Sequence, residues 1–559
     1  MKKKYKILFG IFLLVIALVF LLGKGMINPI LENSLDAYLK DKLEVRWATP
    51  TYRFSYDQLD IDILSERITF RDFRMTPLEE YREVFYSDTL AGKALREIKA
   101  DEITVKGVGL MNFLWDKNIQ IDEIDINKVS FDLVVAPKSK KKVKKDTVPK
   151  GPAIEGIRLP GINKLSLGRF DLGSFILHQI HKDTKDTLLT FNSSGGALSG
   201  MSLIKPEGDD DSFFEPNLKE LVLQLDQQVL DLKKELYQTS IAELEYSYAS
   251  ENLEIKGITF QPREDRDAFR KKARYSYEIY DATVKRLFLE DFDLEGYLNE
   301  GIVFVKKMEL DSLNLEIYRD KAKPYDTSRK VLFLNQKMVA LNFPLRVGSI
   351  EIKDSYLKYT EQSEGDNAPL VVDFSDLNLQ LTNLTSITEG LEDSEAITMD
   401  LQAKLDKSIP IGVKIELPYH GRTFHVSGYT EGASNFSSLN NTVLPATGLK
   451  FTSGRLDGLR FDITGTPRTL TGELTLLYHG LEVELAKPDD TKRKTLSWAA
   501  NTLLKSENPN KNGRIKVGEI EFERIPYKGL GNYVWKGVAS GLVNSVSPVG
   551  KHKVIKPAN

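Results

Sequence analysis

The stretch SENLEIKGITFQP (250–262) repeats the pattern of SERITFRDFRMTP (65–77). In both, Ser-Glu and one polar residue precede two apolar–any–apolar triplets, which two polar or small residues separate, and one residue and a proline follow. Alternation of apolar and polar residues is typical of a β-strand with one buried and one solvated face. The stretch therefore predicts two short strand segments with a break between them, and the chain contains this device twice.

The similarity between the two parts of the chain extends over about 80 residues. Residues 56–77 align with 241–262, and residues 103–133 align with 287–317 once the offset falls by one. The apolar positions keep their register, although few residues are identical. We interpret the similarity as an internal duplication, which indicates a repeat architecture.

A smaller unit also recurs, with apolar residues at positions 1, 4, 6, 9 and 11. Because positions 6 and 9 are an odd number of residues apart, an unbroken strand would turn its apolar face over between them. A turn, bulge or bend at the polar pair would keep both halves on the same face. The pattern predicts a sheet with one continuous apolar face, and the alternative is an ordinary large β-sandwich. Five copies, 121–131, 162–172, 284–294, 305–315 and 517–527, follow the pattern, and a sixth, 347–357, is a close variant with Ser355 at the fourth apolar position.

Three of these units supply the candidate residues of the apolar face. We expect the members of each set to share one surface because they have the same spacing. The first set is Ile121, Ile124, Ile126, Val129 and Phe131, the second is Val305, Met308, Leu310, Leu313 and Leu315, and the third is Ile350 and Ile352.

The N-terminus predicts a membrane anchor. Four lysines precede an uncharged apolar run from residue 7 to residue 23, which is about 25 Å long as a helix and just spans a hydrocarbon core. No small-residue cleavage site follows, so a retained signal-anchor is favoured over a cleaved signal peptide. The lysine bias places the N-terminus in the cytoplasm and the bulk of the chain across the membrane. The anchor residues include Ile7, Leu8, Leu13, Leu14, Val15, Leu18, Leu21 and Leu22.

Composition and motifs argue against catalysis, metal binding and nucleic-acid binding. A hydrophobic content of 41% allows a folded core, and a net charge of −3 argues against a nucleic-acid partner. The absence of cysteine excludes disulfides and thiolate metal sites. No GxSxG, Walker, GxGxxG or HExxH motif occurs, and His178 and His181 would face opposite ways on a strand. We therefore predict no catalytic residue, metal or cofactor, and an enzyme is the least favoured class.

The pattern divides the chain into eight segments. A Lys-rich stretch, KSKKKVKKDTVPKGP (138–152), is expected to be a solvated loop, with binding to anionic lipid headgroups as the alternative. Helical spacing returns in 495–507 and 527–548, and the helix in 527–548 would either cap the sheet or lie on a membrane. The segments are 1–24 (cytoplasmic tip and anchor), 25–48 (juxtamembrane helix), 49–136 (first β repeat), 137–155 (Lys-rich loop), 156–240 (β linker), 241–320 (second β repeat), 321–486 (C-terminal β region) and 487–559 (helical or capping segment).

The C-terminal β region carries a family resemblance. Its last part is expected to open one strand at Gly448, to form a second at Leu459–Ile463 and, after a turn containing Gly465 and Gly472, to form further strand segments at Leu474–Tyr478 and Leu481–Leu485. This arrangement resembles the C-terminal β region of AsmA-like proteins. The anchor followed by IDILSERITFRDFRM (61–75) resembles the opening of the same family.

The resemblance implies a fold and a function. AsmA-like proteins are similar to bridge-like lipid transfer proteins of the chorein type, so the expected fold is mainly β, an elongated, curled antiparallel-type β-sheet groove with an N-terminal transmembrane helix and a few short amphipathic helices. The implied protein is a single-pass inner-membrane protein with a periplasmic body that carries or bridges phospholipid between the inner and outer membranes. The candidate residues above would then line the groove and contact acyl chains. The alternative is a non-enzymatic scaffold or assembly factor for outer-membrane proteins, which would bind them along sheet edges.

Overall fold

The protein is mainly β, in agreement with the expectation from the sequence. A computed structural model describes residues 52–62, 66–79, 86, 93–108, 118–135, 164–204, 215–217, 220–232, 236–321, 323–362, 369–392, 394–447, 449–485, 506–547 and 550–555. The predicted anchor, the juxtamembrane helix, the Lys-rich loop and most of the predicted helix at 495–507 lie outside these residues. Of the helices in the described ranges, none is long and apolar enough to cross a membrane.

The chain divides into two compact units, the first made of residues 1–259 and 290–301 and the second of residues 260–289 and 302–559. The first unit contains β1 (Tyr52–Ser55), β2 (Gln58–Asp62), β3 (Arg67–Pro77), β4 (Lys93–Val108), β5 (Asn118–Val135), β6 (Lys164–Leu172), β7 (Phe175–His181), β8 (Thr187–Ile204), β9 (Glu215–Asn217), β10 (Val222–Leu232), β11 (Tyr237–Ser247) and helix α2 (Leu294–Glu300). The boundary falls within β12 (Asn252–Pro262) and β13 (Glu278–Phe292).

The second unit continues the strand series to the end of the described chain. Its strands are β14 (Val303–Asp320), β15 (Leu345–Gln362), β16 (Leu370–Thr385), β17 (Ala396–Leu405), β18 (Ile409–Pro418), β19 (Phe424–Asn435), β20 (Leu449–Gly465), β21 (Thr469–Leu485), β22 (Ile515–Glu523) and β23 (His552–Ile555). Its helices are α1 (Arg266–Lys272), α3 (Leu334–Val339), a 3₁₀ turn (Phe436–Leu439), α4 (Asn440–Thr447) and α5 (Leu530–Val546).

The pairing is mixed, so the expectation of an antiparallel-type sheet is wrong in part. Strand β5 pairs in parallel with β6 and β7, and β14 pairs in parallel with β15. Most other neighbours are antiparallel, for example β3 with β4 and β20 with β21. The reason lies in the connections: residues 136–163 and 321–344 are long enough for a crossover, which parallel neighbours require. The parallel pair occurs at the equivalent place in both repeats.

The backbone supports the repeat-like architecture residue by residue. Left-handed φ angles are uncommon outside glycine, so their recurrence at matched positions is informative. They occur at four pairs of positions related by the two sequence offsets. The pairs are Glu66 and Glu251 (φ 47° and 51°), Asp72 and Gly257 (52° and 61°), Gly107 and Asp291 (64° and 50°), and Lys128 and Ser312 (47° and 55°).

The polar pair of the recurring unit adopts the bend that its spacing requires in four of the six copies. The second residue of the pair has positive φ at Lys128, Asp291, Ser312 and Asp354. In the copy at 162–172 the strand continues through the polar pair and ends at the last residue of the unit, Leu172, and in the copy at 517–527 it ends within the pair, at Glu523. A bulged residue restores the alternation after the break and increases the local twist of the strand. Each of the four bends therefore keeps both apolar halves on one face.

The region that carries the family resemblance differs from the sequence-based expectation in two details. A helix, α4, precedes the first strand, and β20 is continuous through the point where two separate strands were expected. The strand absorbs the broken alternation with register shifts around Ser453 and Leu456, and Gly454 has φ +117°. The turn lies at residues 466–468, between the two glycines that were expected to form it.

Candidate apolar binding face

The second unit presents one apolar face, defined by two rows of cross-strand partners that run from β14 to β22. Apart from glycines, each position in both rows is aliphatic, methionine or phenylalanine. The first row is Met308, Ile350, Leu381, Met399, Ile415, Val426, Ile463, Gly472 and Ile520. The second row is Leu310, Ile352, Leu379, Leu401, Val413, Gly428, Phe461, Leu474 and Gly518. We call this surface the second-unit apolar face.

The candidate residues of β14 and β15 lie on this face with unequal exposure. Val305 is buried against its partner Val347. The other members keep part of their surface accessible to solvent, unlike the fully buried Val426 and Ile463 further along the first row. These half-buried members are Met308, Leu310, Leu313, Leu315, Ile350 and Ile352. The part of the face on β14 and β15 is thus apolar and only half-buried.

Glycines in the rows make room for large neighbours. A Cβ placed on Gly428 would lie 2.4 Å from the ring of Phe461, so only glycine lets this ring lie flat across β19. At Gly472 a Cβ would lie 2.0 Å from the Asp462 carbonyl oxygen of the adjacent strand, whereas at Gly518 it would meet helix α5.

Helix α5 packs on β21 and β22 through a stripe of small residues. A Cβ on Gly541 would lie 2.7 Å from Ile520 Cγ1 and 2.9 Å from Leu474 Cβ, and one on Gly518 would lie 2.3 Å from the Gly541 carbonyl oxygen. The helix expected in 527–548 is therefore present, and it covers the end of the apolar face. Its outward side leaves Trp535 56% exposed.

An aromatic cluster closes the same end of the face. The Phe333 ring, just before α3, packs edge-on against Phe424 at 5.4 Å and stacks on Tyr533 of α5 at 6.3 Å. The Arg524 guanidinium lies 4.0 Å from the centre of the Phe333 ring and donates a hydrogen bond to the Val331 carbonyl. Because no carboxylate of a described residue pairs with it, burial lowers the pKa of Arg524.

The segment after β14 also contacts the segment after β22. The Val331 N–H donates to the Pro526 carbonyl oxygen at 3.0 Å, and the rings of Tyr325 and Tyr527 lie 5.8 Å apart. Lys528 Nζ lies 3.0 Å from the centre of the Tyr325 ring, and burial lowers the pKa of Lys528 to about 8. Eight successive pairings separate β14 from β22 within this unit, so these contacts join its distant strands.

A second helical segment lies at the opposite end of the strands. Phe436 of the 3₁₀ turn packs against Phe451 at 5.2 Å and against Tyr478 at 6.2 Å. Thr442 of α4 donates a hydrogen bond to the Val371 carbonyl at 2.9 Å, on a strand far from β20 along the sheet. Helical segments thus lie near both ends of the strands that carry the apolar face.

The first unit carries a similar face with deeper burial. Ile124 and Ile126 belong to two apolar rows that continue through β3, β4, β6, β8, β10 and β11. Four of the candidate residues are 0–2% exposed: Ile121, Ile124, Ile126 and Val129. Phe131 is half-buried and packs edge-on against Phe175 at 6.3 Å. The repeat therefore places equivalent residues in equivalent rows, with greater exposure in the second unit.

Charged residues occupy the opposite face of β14 and β15. Lys307 bridges Glu309 and Glu351 at 2.7 and 3.0 Å, and Lys353 contacts the same two carboxylates. The hydrogen bonds to Glu309 and Glu351 raise the pKa of Lys307 to about 12. The hydrogen bond from Lys307 lowers the pKa of Glu309, and that from Lys353 lowers the pKa of Glu351. The network ties the parallel strands together on their solvated side.

The described residues contain no group of three or more His, Asp or Glu side chains that could hold a metal. His178 instead contacts Asp132 at 3.1 Å, and His181 accepts hydrogen bonds from the following backbone. No family model matches the chain, and no curated protein matches it. What the described residues of this face offer is an apolar surface.

The sequence did not point to the residues that close the face. Phe333 lies in a segment without strand alternation, and α3 and α4 are too short to give a helical period. One signal was present: Leu334 and Met338 are four residues apart, and both pack against the core of the second unit.

Proposed function

We propose that the second-unit apolar face holds the acyl chains of phospholipid and that the protein is a non-enzymatic lipid carrier or bridge. The observation that carries the proposal is the pair of apolar rows that cross nine strands and whose members on β14 to β18, apart from the buried Leu381, keep part of their surface accessible. Soluble proteins rarely leave contiguous apolar surface of this kind open unless it binds something.

Acyl chains fit this surface for a simple physical reason. Moving each CH₂ group from water to an apolar environment is favourable by about 0.8 kcal/mol, and no directional contact is required. A face without polar anchors suits a ligand that is recognised by its chains and leaves its headgroup in water. The strong periodicity and the absence of reactive motifs are consistent with this use.

The bends and end contacts support a curled groove. Bulges increase strand twist, and in β14 and β15 the bends at Ser312 and Asp354 lie side by side. The contacts of Tyr325 with Tyr527 and of Val331 with Pro526 join segments that follow strands eight pairings apart. A sheet that curls around its apolar face brings such segments together.

The setting we propose follows the resemblance to AsmA-like proteins. The chain would be held in the inner membrane by residues 7–23, with its body in the periplasm and phospholipid passing towards the outer membrane. The scaffold alternative requires a long unpaired sheet edge for protein clients. In the described part of the second unit, the terminal strand β23 has four residues and carries a lysine, which favours the lipid proposal.

Substitution on the accessible part of the face tests the proposal. Full-length protein is purified from membranes, and bound lipid is extracted and identified by mass spectrometry. We expect phospholipid with the unmodified chain and a loss of most of it with Leu310→Glu, because a carboxylate in the row opposes acyl binding. Asn314→Glu, on the solvated side of the same strand, is the matched control. Absence of co-purified lipid, or equal lipid in both variants, would contradict the proposal.

A further inference from the structure

The crossover between β14 and β15 forms a surface that lipid carriage does not explain. Between residues 327 and 348 the sequence contains four cations and no carboxylate. The cations Arg329, Lys330, Lys337 and Arg346 are all exposed, and none forms an ion pair with a described residue. Many other cations of the second unit are paired, as Lys307 and Lys353 illustrate.

Large apolar side chains lie among these cations. Leu332 is 44% exposed, Phe343 is 43% exposed and Val339 is 41% exposed. They are exposed although Phe333, Leu334 and Met338 of the same segment pack into the core. The backbone beneath them is held in place: Asn335 donates to the Pro418 carbonyl oxygen at 2.6 Å, and the Phe343 carbonyl accepts from Ser386. We call Leu332, Val339, Phe343 and the four cations the crossover surface.

The geometry points to an anionic lipid bilayer as the partner of the crossover surface. Apolar side chains beside unpaired cations match an interface in which acyl chains lie under negatively charged headgroups. The charges favour this partner, because residues 327–348 present four unpaired cations and no carboxylate. A negatively charged bilayer surface is therefore attracted to them. The acid next to this segment in the sequence, Asp326, is half-buried and accepts hydrogen bonds from Ser328. This binding does not depend on the apolar face holding lipid.

The test is a vesicle-capture experiment with the full chain. The protein is held in nanodiscs of phosphatidylcholine, and acceptor vesicles contain phosphatidylcholine alone or with phosphatidylglycerol. We expect co-flotation only with the phosphatidylglycerol vesicles, and we expect it to weaken as ionic strength rises. Capture that is independent of phosphatidylglycerol, or insensitive to salt, would overturn the inference.

Matched charge reversals locate the effect. Lys330→Glu with Lys337→Glu is compared with Lys407→Glu with Lys450→Glu, two exposed lysines at the β17–β18 turn and at the start of β20 in the same unit. Both pairs are measured in a chain in which all seven lysines of the Lys-rich stretch 138–152 are serine, so that this stretch does not mask the difference. We expect the first pair to lower vesicle affinity by at least about 30-fold and the second to leave it within about threefold. Equal effects of the two pairs would refute the assignment.

A second variant separates docking from folding and from lipid carriage. Phe343→Ser removes an exposed apolar side chain, so we expect weaker capture with an unchanged circular dichroism spectrum and thermal midpoint. Leu310→Glu, on the apolar face, should keep full vesicle capture even where it loses co-purified lipid. Unchanged capture by Phe343→Ser, or loss of capture by Leu310→Glu, would show that the crossover surface is not the docking site.

Discussion

Two glycines of α5 provide a sharp test of how this helix packs. An alanine at Gly541 would place its Cβ 2.7 Å from Ile520 Cγ1 and 2.9 Å from Leu474 Cβ, whereas the same change at Gly531 meets nothing within 4 Å. Overpacking costs about 1–3 kcal/mol, and replacing glycine by alanine in a helix gains up to about 1 kcal/mol. We therefore expect Gly541→Ala to destabilise by up to about 2 kcal/mol and Gly531→Ala to be neutral or stabilising.

Hydrogen exchange of α5 and β22 is the suitable assay, because a chain with two compact units need not unfold in one step. The local opening free energy should fall in Gly541→Ala and hold or rise in Gly531→Ala. If Gly541→Ala raises protection as much as Gly531→Ala does, the close packing of α5 on the sheet is refuted. A fall in both would show instead that the helix tolerates no change at either face.

Further predictions concern the aromatic cluster and the charged groups. Phe333→Ala removes the ring contacts with Phe424 and Tyr533 and should lower the opening free energy of the second unit, measured by hydrogen exchange, by about 3–5 kcal/mol, whereas Leu332→Ala should change it by less than about 1 kcal/mol. Because the pKa of Glu309 is lowered in the folded state, its contribution is present above the unfolded pKa of about 4.3 and is lost as pH falls through the folded value. Glu309→Gln should therefore be less stable than the unmodified chain at pH 7, and a difference that persists at pH 2 would count against the ion network. Burial lowers the pKa of Lys528 to about 8, below its unfolded value of about 10.4. At pH 7 the buried charge therefore destabilises the folded state, and Lys528→Met should be more stable than the unmodified chain. This advantage should be lost between about pH 8 and 10.4, where the folded chain releases the proton and the unfolded chain keeps it. A stability difference that does not vary with pH over that range would mean that Lys528 is not desolvated.

The sequence predicted the strand units because their chemistry is local. The alternation of Ile124 and Ile126, followed after a polar pair by Val129, requires a bend, and Lys128 adopts it. The duplication was predictable for the same reason, and the left-handed residues at Asp72 and Gly257 show that it extends to the backbone.

The remaining features depend on contacts that are distant along the chain. The parallel pairing of β14 with β15 requires a crossover between the two strands. Because the residues of this crossover do not alternate, only the length of the connection indicated the parallel pairing. The burial of Gly541 follows from the approach of α5 to Leu474, which lies 67 residues earlier by residue number (541 − 474). The positions of Leu310 and Ile352 on one face were predictable, but their partial exposure depends on how far the neighbouring helices extend over the sheet.

Photocrosslinking at two adjacent residues of β17 tests the central claim most directly. Leu401 belongs to the second row of the apolar face, and Gln402, the next residue, is exposed on the opposite side of the strand. A photoreactive amino acid is placed at each position in the full-length protein in membranes, and adducts are identified by mass spectrometry. If the face holds acyl chains, position 401 will yield phospholipid adducts and position 402 will not. Protein adducts alone at position 401, or equal lipid labelling at both positions, would contradict the account.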